Sequence, residues 1–119
     1  MRFDRLRADP MAAVAISVGL ASLFALGPAV AGDAKAGRAK VDVCATCHGL
    51  DGLSKIAEAP NLAGQSEGYL IAQLNAFRSG ARVNEMMSIV IKNLTDADIE
   101  NLAAYYSAIP ITVGKPPGE

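Results

Sequence analysis

"VCATCHGLDG", residues 43 to 52, holds both cysteines of the chain and its only histidine within five positions. A pair closing so small a loop makes a poor staple, because in the chain-entropy account a short loop gives the least stabilisation. A thioredoxin-like redox pair belongs in a βαβ context, and no run of alternating β-branched residues follows Ala31. A structural zinc site needs four ligands, usually Cys or His, and this segment with the rest of the chain offers three.

One chemistry uses all three residues. In Cys-x-x-Cys-His the two thiols can form thioether bonds to the vinyl groups of one haem, and the adjacent imidazole can turn onto the iron. That spacing suits the first turn of a helix, where residues three apart share a face. Cys44, Cys47 and His48 are therefore expected to hold one covalent haem c and its iron.

The sixth position on the iron is constrained by composition. With a single histidine, bis-histidine ligation within one chain is impossible. After Ala31 the chain has two methionines, the neighbours Met86 and Met87, in the polar segment "SGARVNEMMS". A core methionine is ordinarily gap-filler, but Met/His ligation is a standard way to hold a high-potential haem. One of the two is expected to bind the iron; otherwise that position is open or taken by Lys or water.

Upstream of the motif the composition changes. Residues 1 to 10 carry Arg2, Arg5 and Arg7, residues 11 to 26 are uncharged and mostly apolar, and Ala29-Val30-Ala31 closes with small residues. This is the pattern of a secretory signal over residues 1 to 31. A retained anchor is the alternative, since residues 11 to 31 are long enough to span a bilayer, but Gly27-Pro28 argues against it. Removing the leader lowers Lys plus Arg from 11 to 8 and Asp plus Glu from 12 to 10, leaving a mildly acidic domain. No clustered basic surface for nucleic acid is present. Four aromatics and no Trp make a thin core for so small a domain.

The rest reads as helices. Asp33 caps a first helix from Ala34 to Val43 that runs into the haem motif, with Gly37 and Val41 on one face. Gly37 in mid-helix costs about 1 kcal/mol against Ala, which implies a close contact. "DGLSKIAEAPNLAGQ" is a loop punctuated by Gly52, Pro60 and Gly64. Ser66 caps a helix with Leu70, Leu74 and Phe77 in register, ending at Gly80. "MMSIVIKNL" gives a short helix, and Thr95 caps a last one with Ile99, Leu102, Ala103 and Tyr106 on one face, stopped by Pro110. Residues 32 to 110 form the expected domain and 111 to 119 a loose tail.

Through "GDAKAGRAK", "CATCHG", "PNLAGQ", "YLIAQLNAFRSGAR" and "LTDADIENLAAYY" the chain resembles the class I c-type cytochromes. It is most similar to the short bacterial cytochrome c-553 type and to single domains of the di-haem cytochrome c-four type. The resemblance implies an all-α class I fold of four to five helices round one haem. It implies that Pro60 offers its carbonyl to the His48 imidazole, and that Met87 rather than Met86 is the ligand, counted back from Leu94. It also implies that Gly37 crosses Tyr105 or Tyr106, and that Arg82 and Asn84 stand near the haem edge or on a solvated surface. "VNE" lacks the proline that many relatives place before the ligand, which puts the rigidity of that loop in question.

The function so implied is a periplasmic, monomeric carrier of single electrons that meets redox donors and acceptors at the haem edge, and not an enzyme in itself. A membrane-bound oxidoreductase or oxidase is among the expected partners; a haem subunit of an exported oxidoreductase complex is the alternative, and a gas-binding or peroxidase-like haem protein with an open sixth site is the third reading. The acidic group Asp96, Asp98 and Glu100 is either a capping face or a surface for a basic partner.

Overall fold

The computed structural model describes residues 31 to 118. The leader expected over 1 to 31 lies outside the described residues except for Ala31. Among the described residues there are five α-helices, one 3-10 turn and no strand. The helices are α1 (Ala34–Lys40), α2 (Asp42–His48), α3 (Glu67–Ser79), α4 (Glu85–Val90) and α5 (Asp96–Ser107), with the 3-10 turn Ile91–Asn93 between the last two.

Local chemistry sets these boundaries. The Asp33 carboxylate accepts from the backbone N–H groups of Lys35 and Ala36 and opens α1. The Ser66 hydroxyl accepts from Tyr69 N–H and opens α3, which Gly80 ends in the left-handed conformation (φ 78°). At α5, Thr95 and Asp98 exchange side-chain to backbone bonds in a full capping box.

Two expectations about the first helix need correction. It does not run unbroken from Ala34 to Val43. Val41 keeps right-handed dihedrals, but its carbonyl takes both Cys44 N–H (2.9 Å) and Ala45 N–H (2.8 Å), so the helix tightens there and resumes as α2. The Cys-x-x-Cys-His motif occupies the end of α2 rather than the first turn of a helix, because Gly49 at φ 78° terminates the helix immediately after His48.

α1 crosses α5 at a glycine. A Cβ on Gly37 would lie 2.0 Å from the Asn101 carbonyl oxygen and 2.9 Å from Tyr105 Cβ, so only glycine lets the helices approach this closely. The crossing falls at Tyr105, one of the two tyrosines expected. The buried cluster Val41, Leu70, Leu102, Ala103 and Tyr106 lies where α1, α3 and α5 meet, with Leu62, Ile71 and Leu94 packed against it.

Ion pairs pin the start of α5. Lys40 Nζ lies 2.6 Å from Asp98 Oδ1, and Arg78 reaches Asp96 Oδ1 at 2.6 Å. Asp98 is buried. Asp96 and Asp98 are thus ion-paired and Asp98 also caps the helix; buried as it is, Asp98 is not available to a docking partner. Beyond α5, Ile111 lies against Gly64, so the segment expected as a loose tail touches the loop at its start.

Candidate haem site

A cavity of about 410 Å³ opens between α2, the 51–65 loop, α3 and the segment 82–90. Its walls are mainly apolar: Val43, Ile56, Leu70, Leu74, Phe77, Val90, Leu102 and Ala103. Cys44, Cys47, His48, Pro60, Met86 and Met87 all line it, so the fold brings together every candidate haem-binding residue. That volume is within the range of small-molecule and cofactor pockets.

Cys44 and Cys47 form no disulfide and lie half-buried on one turn of α2. Burial pushes the Cys44 thiol up to about 11. A neutral sulfur is what this apolar wall favours, and a thioether is neutral.

His48 is buried, and its Nδ1 lies 2.8 Å from the Pro60 carbonyl oxygen. A carbonyl only accepts, so Nδ1 carries the proton and Nε2 keeps its lone pair for a metal. The bond also fixes the plane of the ring.

The loop holding Pro60 is itself tied down. Lys55 N–H donates to the Cys47 carbonyl at 2.8 Å, Leu62 N–H to the Gly52 carbonyl at 2.8 Å, and Ser54 N–H to Asn61 Oδ1 at 2.7 Å. Gly52 sits at φ 71°, where a Cβ would strike the backbone of Ala63.

Two tyrosines anchor the other side of the motif. Tyr105 donates its hydroxyl to the Leu50 carbonyl at 2.6 Å and Tyr106 to the Gly49 carbonyl at 3.1 Å, their rings meeting edge to face at 5.1 Å. Burial, with Cys44 and Tyr105 close by, raises the Tyr106 phenol, which stays protonated and able to donate. Sequence reading placed Tyr106 on the buried face of the last helix or at the Gly37 crossing and gave its hydroxyl no role. The signal was present in the pair itself, since a buried tyrosine needs a partner for its hydroxyl and a phenylalanine does not.

Asn84 has a role that sequence reading missed. Its Oδ1 accepts from Met87 N–H at 3.0 Å and caps α4. This cap orders the methionine segment where the proline of many relatives is missing. Met86 is 64% exposed, whereas Met87 is half-buried on the same cavity.

Residues 34–108 match the family model for cytochrome c, well over half of the chain. The chain belongs to the cytochrome c family. The cytochrome c domain is 44% identical over 84 residues to cytochrome c4 of Pseudomonas aeruginosa, covering 71% of this chain and 42% of that protein. It is 43% identical over 81 residues to cytochrome c-554(548) of Halomonas halodenitrificans, covering 66% of this chain and 98% of that one. The solved thiosulfate dehydrogenase (TsdBA) of Marichromatium purpuratum superposes at a TM-score of 0.62 with 36% identity, over 71% of this chain and 21% of that chain. The chain thus spans less than half the length of its cytochrome c4 relative. The fold is that of an all-α class I cytochrome c, the cofactor of the family is covalent haem c with its iron, for which this chain has the two cysteines Cys44 and Cys47, and the family carries electrons.

No helix among the described residues is long and apolar enough to cross a membrane.

Proposed function

We propose that this domain is a monohaem carrier of single electrons in the periplasm, with the iron held between His48 and Met87. The observation that carries the reading is the His48 to Pro60 bond at 2.8 Å on a cavity that Met87 also lines. A bound haem supplies a metal that changes oxidation state by one electron. The polypeptide supplies His48 in a set tautomer, Met87 on a capped helix and apolar walls that exclude water. With His48 and Met87 both holding the iron, no position would be left for a substrate at the metal, which suits electron transfer better than bond-making. Met87 is favoured over Met86 because Met86 is largely exposed to solvent.

Absorption spectroscopy of the purified, haem-loaded protein tests this. A weak far-red band in the ferric state, lost in Met87→Ala and retained in Met86→Ala, is the expected result. The reduction potential falls in Met87→Ala only. If the native protein lacks the band and its ferrous form binds carbon monoxide, the sixth position is open and the carrier reading fails.

The periplasmic assignment rests on the leader pattern of residues 1 to 31. Fractionation with N-terminal sequencing should recover a chain starting at Gly32 in the periplasm; an intact leader in the membrane fraction would mean an anchored domain.

A second reading, a haem subunit of an oxidoreductase, is favoured by one observation, the likeness to a solved thiosulfate dehydrogenase. Gel filtration separates the two: a free carrier runs alone as a monomer, and a subunit elutes with its enzyme.

A further inference from the structure

Gly32 directly follows the small residues Ala29-Val30-Ala31 and is bound into the fold although it precedes the first helix. Its backbone nitrogen donates to Glu67 Oε1 at 2.9 Å, and the next nitrogen, of Asp33, donates to Asn101 Oδ1 at 2.7 Å. A Cβ on Gly32 would lie 2.1 Å from the Glu100 carbonyl oxygen and 2.9 Å from the Asn101 nitrogen, so only glycine fits against α5 here. Gly32 and Glu67 are half-buried, whereas Ala31, one residue earlier, is exposed. Two long-range bonds and a close backbone contact thus fix a residue that has no helix of its own.

What the Gly32 nitrogen carries depends on the leader. In the precursor it is a neutral amide with a single N–H, which Glu67 takes. Hydrolysis of the Ala31–Gly32 bond by a signal peptidase consumes one water. The leader departs with a carboxylate on Ala31, and Gly32 keeps an α-ammonium with three N–H donors and a full positive charge at the same atom. Among the described residues Glu67 pairs with no lysine or arginine. Exposed ion pairs are weak partly because two long side chains must be ordered. Here one partner is on the backbone, and only Glu67 has to be held.

The other charged neighbours do not compete for the site. Next in the chain, Asp33 has its carboxylate on the N–H groups of Lys35 and Ala36. Lys35 is exposed, and α5 packs Glu100 and the neutral Asn101 against Gly32 through their backbone. The start of α3 is the positive end of that helix and opposes a cation, which leaves Glu67 as the group that favours one.

We propose that removal of the leader after Ala31 creates an ion pair between the Gly32 α-ammonium and Glu67, which ties the start of the mature chain to α3 and stabilises it beyond a chain whose Gly32 keeps its amide. The pair rests on the leader ending at Ala31, the reading proposed above, and is independent of the iron ligands.

The test is thermal unfolding of the haem-loaded protein from the periplasm, its first residue fixed by intact mass. At pH 7, Glu67→Gln should lower the midpoint by about 2 to 5 °C. An anionic partner raises the α-amino pKa above its ordinary value of about 7.7 to 8.0. The contribution is therefore full below that value and is lost as pH rises through the raised one, so the two proteins should converge by about pH 10. A chain processed to keep Ala31 as its first residue, with an amide at Gly32, should melt below the native protein at pH 7. In that chain Glu67→Gln should cost less than half as much, with little change between about pH 7 and 10. If Glu67→Gln does not fold, the pH dependence of the difference between the two unmutated chains carries the test.

Equal losses in the two chains, or a loss in the native chain that stays constant over that pH range, would overturn the proposal and leave Glu67 a simple acceptor. A mature chain starting elsewhere than Gly32 would overturn the leader reading and the ion pair together.

Discussion

A glycine and an aspartate decide more at the level of single residues than their size suggests. Gly37 occupies a point where any Cβ collides with the Asn101 backbone, which cannot swing aside as a side chain can. Gly37→Ala is therefore expected to destabilise the haem-loaded protein by about 3 kcal/mol or more, read as a lower denaturant midpoint, even though alanine is the better helix former. A smaller effect would mean that α1 can slide along α5. Asp98 is held down to about 2, first by the bond from Lys40 and then by the Thr95 N–H and hydroxyl. Its pKa is lowered on folding, so its contribution is complete above the ordinary carboxylate value near 4 and is lost as pH falls toward 2. Acid unfolding of the native protein should steepen across that window. Asp98→Asn should be less stable at neutral pH and flatter through the window, and parallel acid curves for the two proteins would refute the assignment. Sequence alone marked Gly37 as a contact because a mid-helix glycine has a cost. Burial of Asp98 was not legible, since an acidic residue in a first turn reads the same whether capping, paired or solvated.

Among the elements, caps and terminators carried most of the information. Asp33, Ser66, Thr95 and Gly80 each act where the sequence places them, because a cap is a bond between near neighbours. The break at Val41 and the placing of the haem motif at the end of α2 were not legible. The break falls where Val41 sinks into the core, 0% exposed, and the motif ends α2 because Gly49 at φ 78° stops the helix there. The α4 segment is the weak element. It has six residues and no buried side chain, and it depends on Asn84 for its start. Removing that cap with Asn84→Ala should cost about 1 kcal/mol of local stability. The expected outcome is a far-red methionine band that bleaches at a lower temperature than in the native protein while the covalent haem stays attached. Bleaching at the native temperature would show that the cap does not hold Met87.

The molecule as a whole is short of protein core. Among the described residues only eight apolar side chains are buried, two of them alanine, while Leu74, Phe77 and Val90 are half-buried on the cavity. Haem c would supply the missing apolar surface, held to α2 by Cys44 and Cys47. A Cys44→Ala, Cys47→Ala double variant, unable to attach haem, should therefore lack cooperative thermal unfolding and show reduced helical circular dichroism. A cooperative, native-like melt of the haem-free chain would show that the polypeptide folds without it.

By itself the sequence determined the cofactor, the caps that open three of the helices and the candidate ligands, because thioether attachment, capping and helical spacing are all chemistry between residues close in the chain. Tertiary structure decided which groups serve them from afar: the Pro60 carbonyl set on His48, the hydroxyls of Tyr105 and Tyr106 on the carbonyls that follow the motif, and Lys40 on Asp98. It also separated Met87 from Met86 by exposure. Those contacts join residues 12 to 58 positions apart. No local pattern encodes them; they exist only once α1, α3 and α5 have packed around the space that the haem fills.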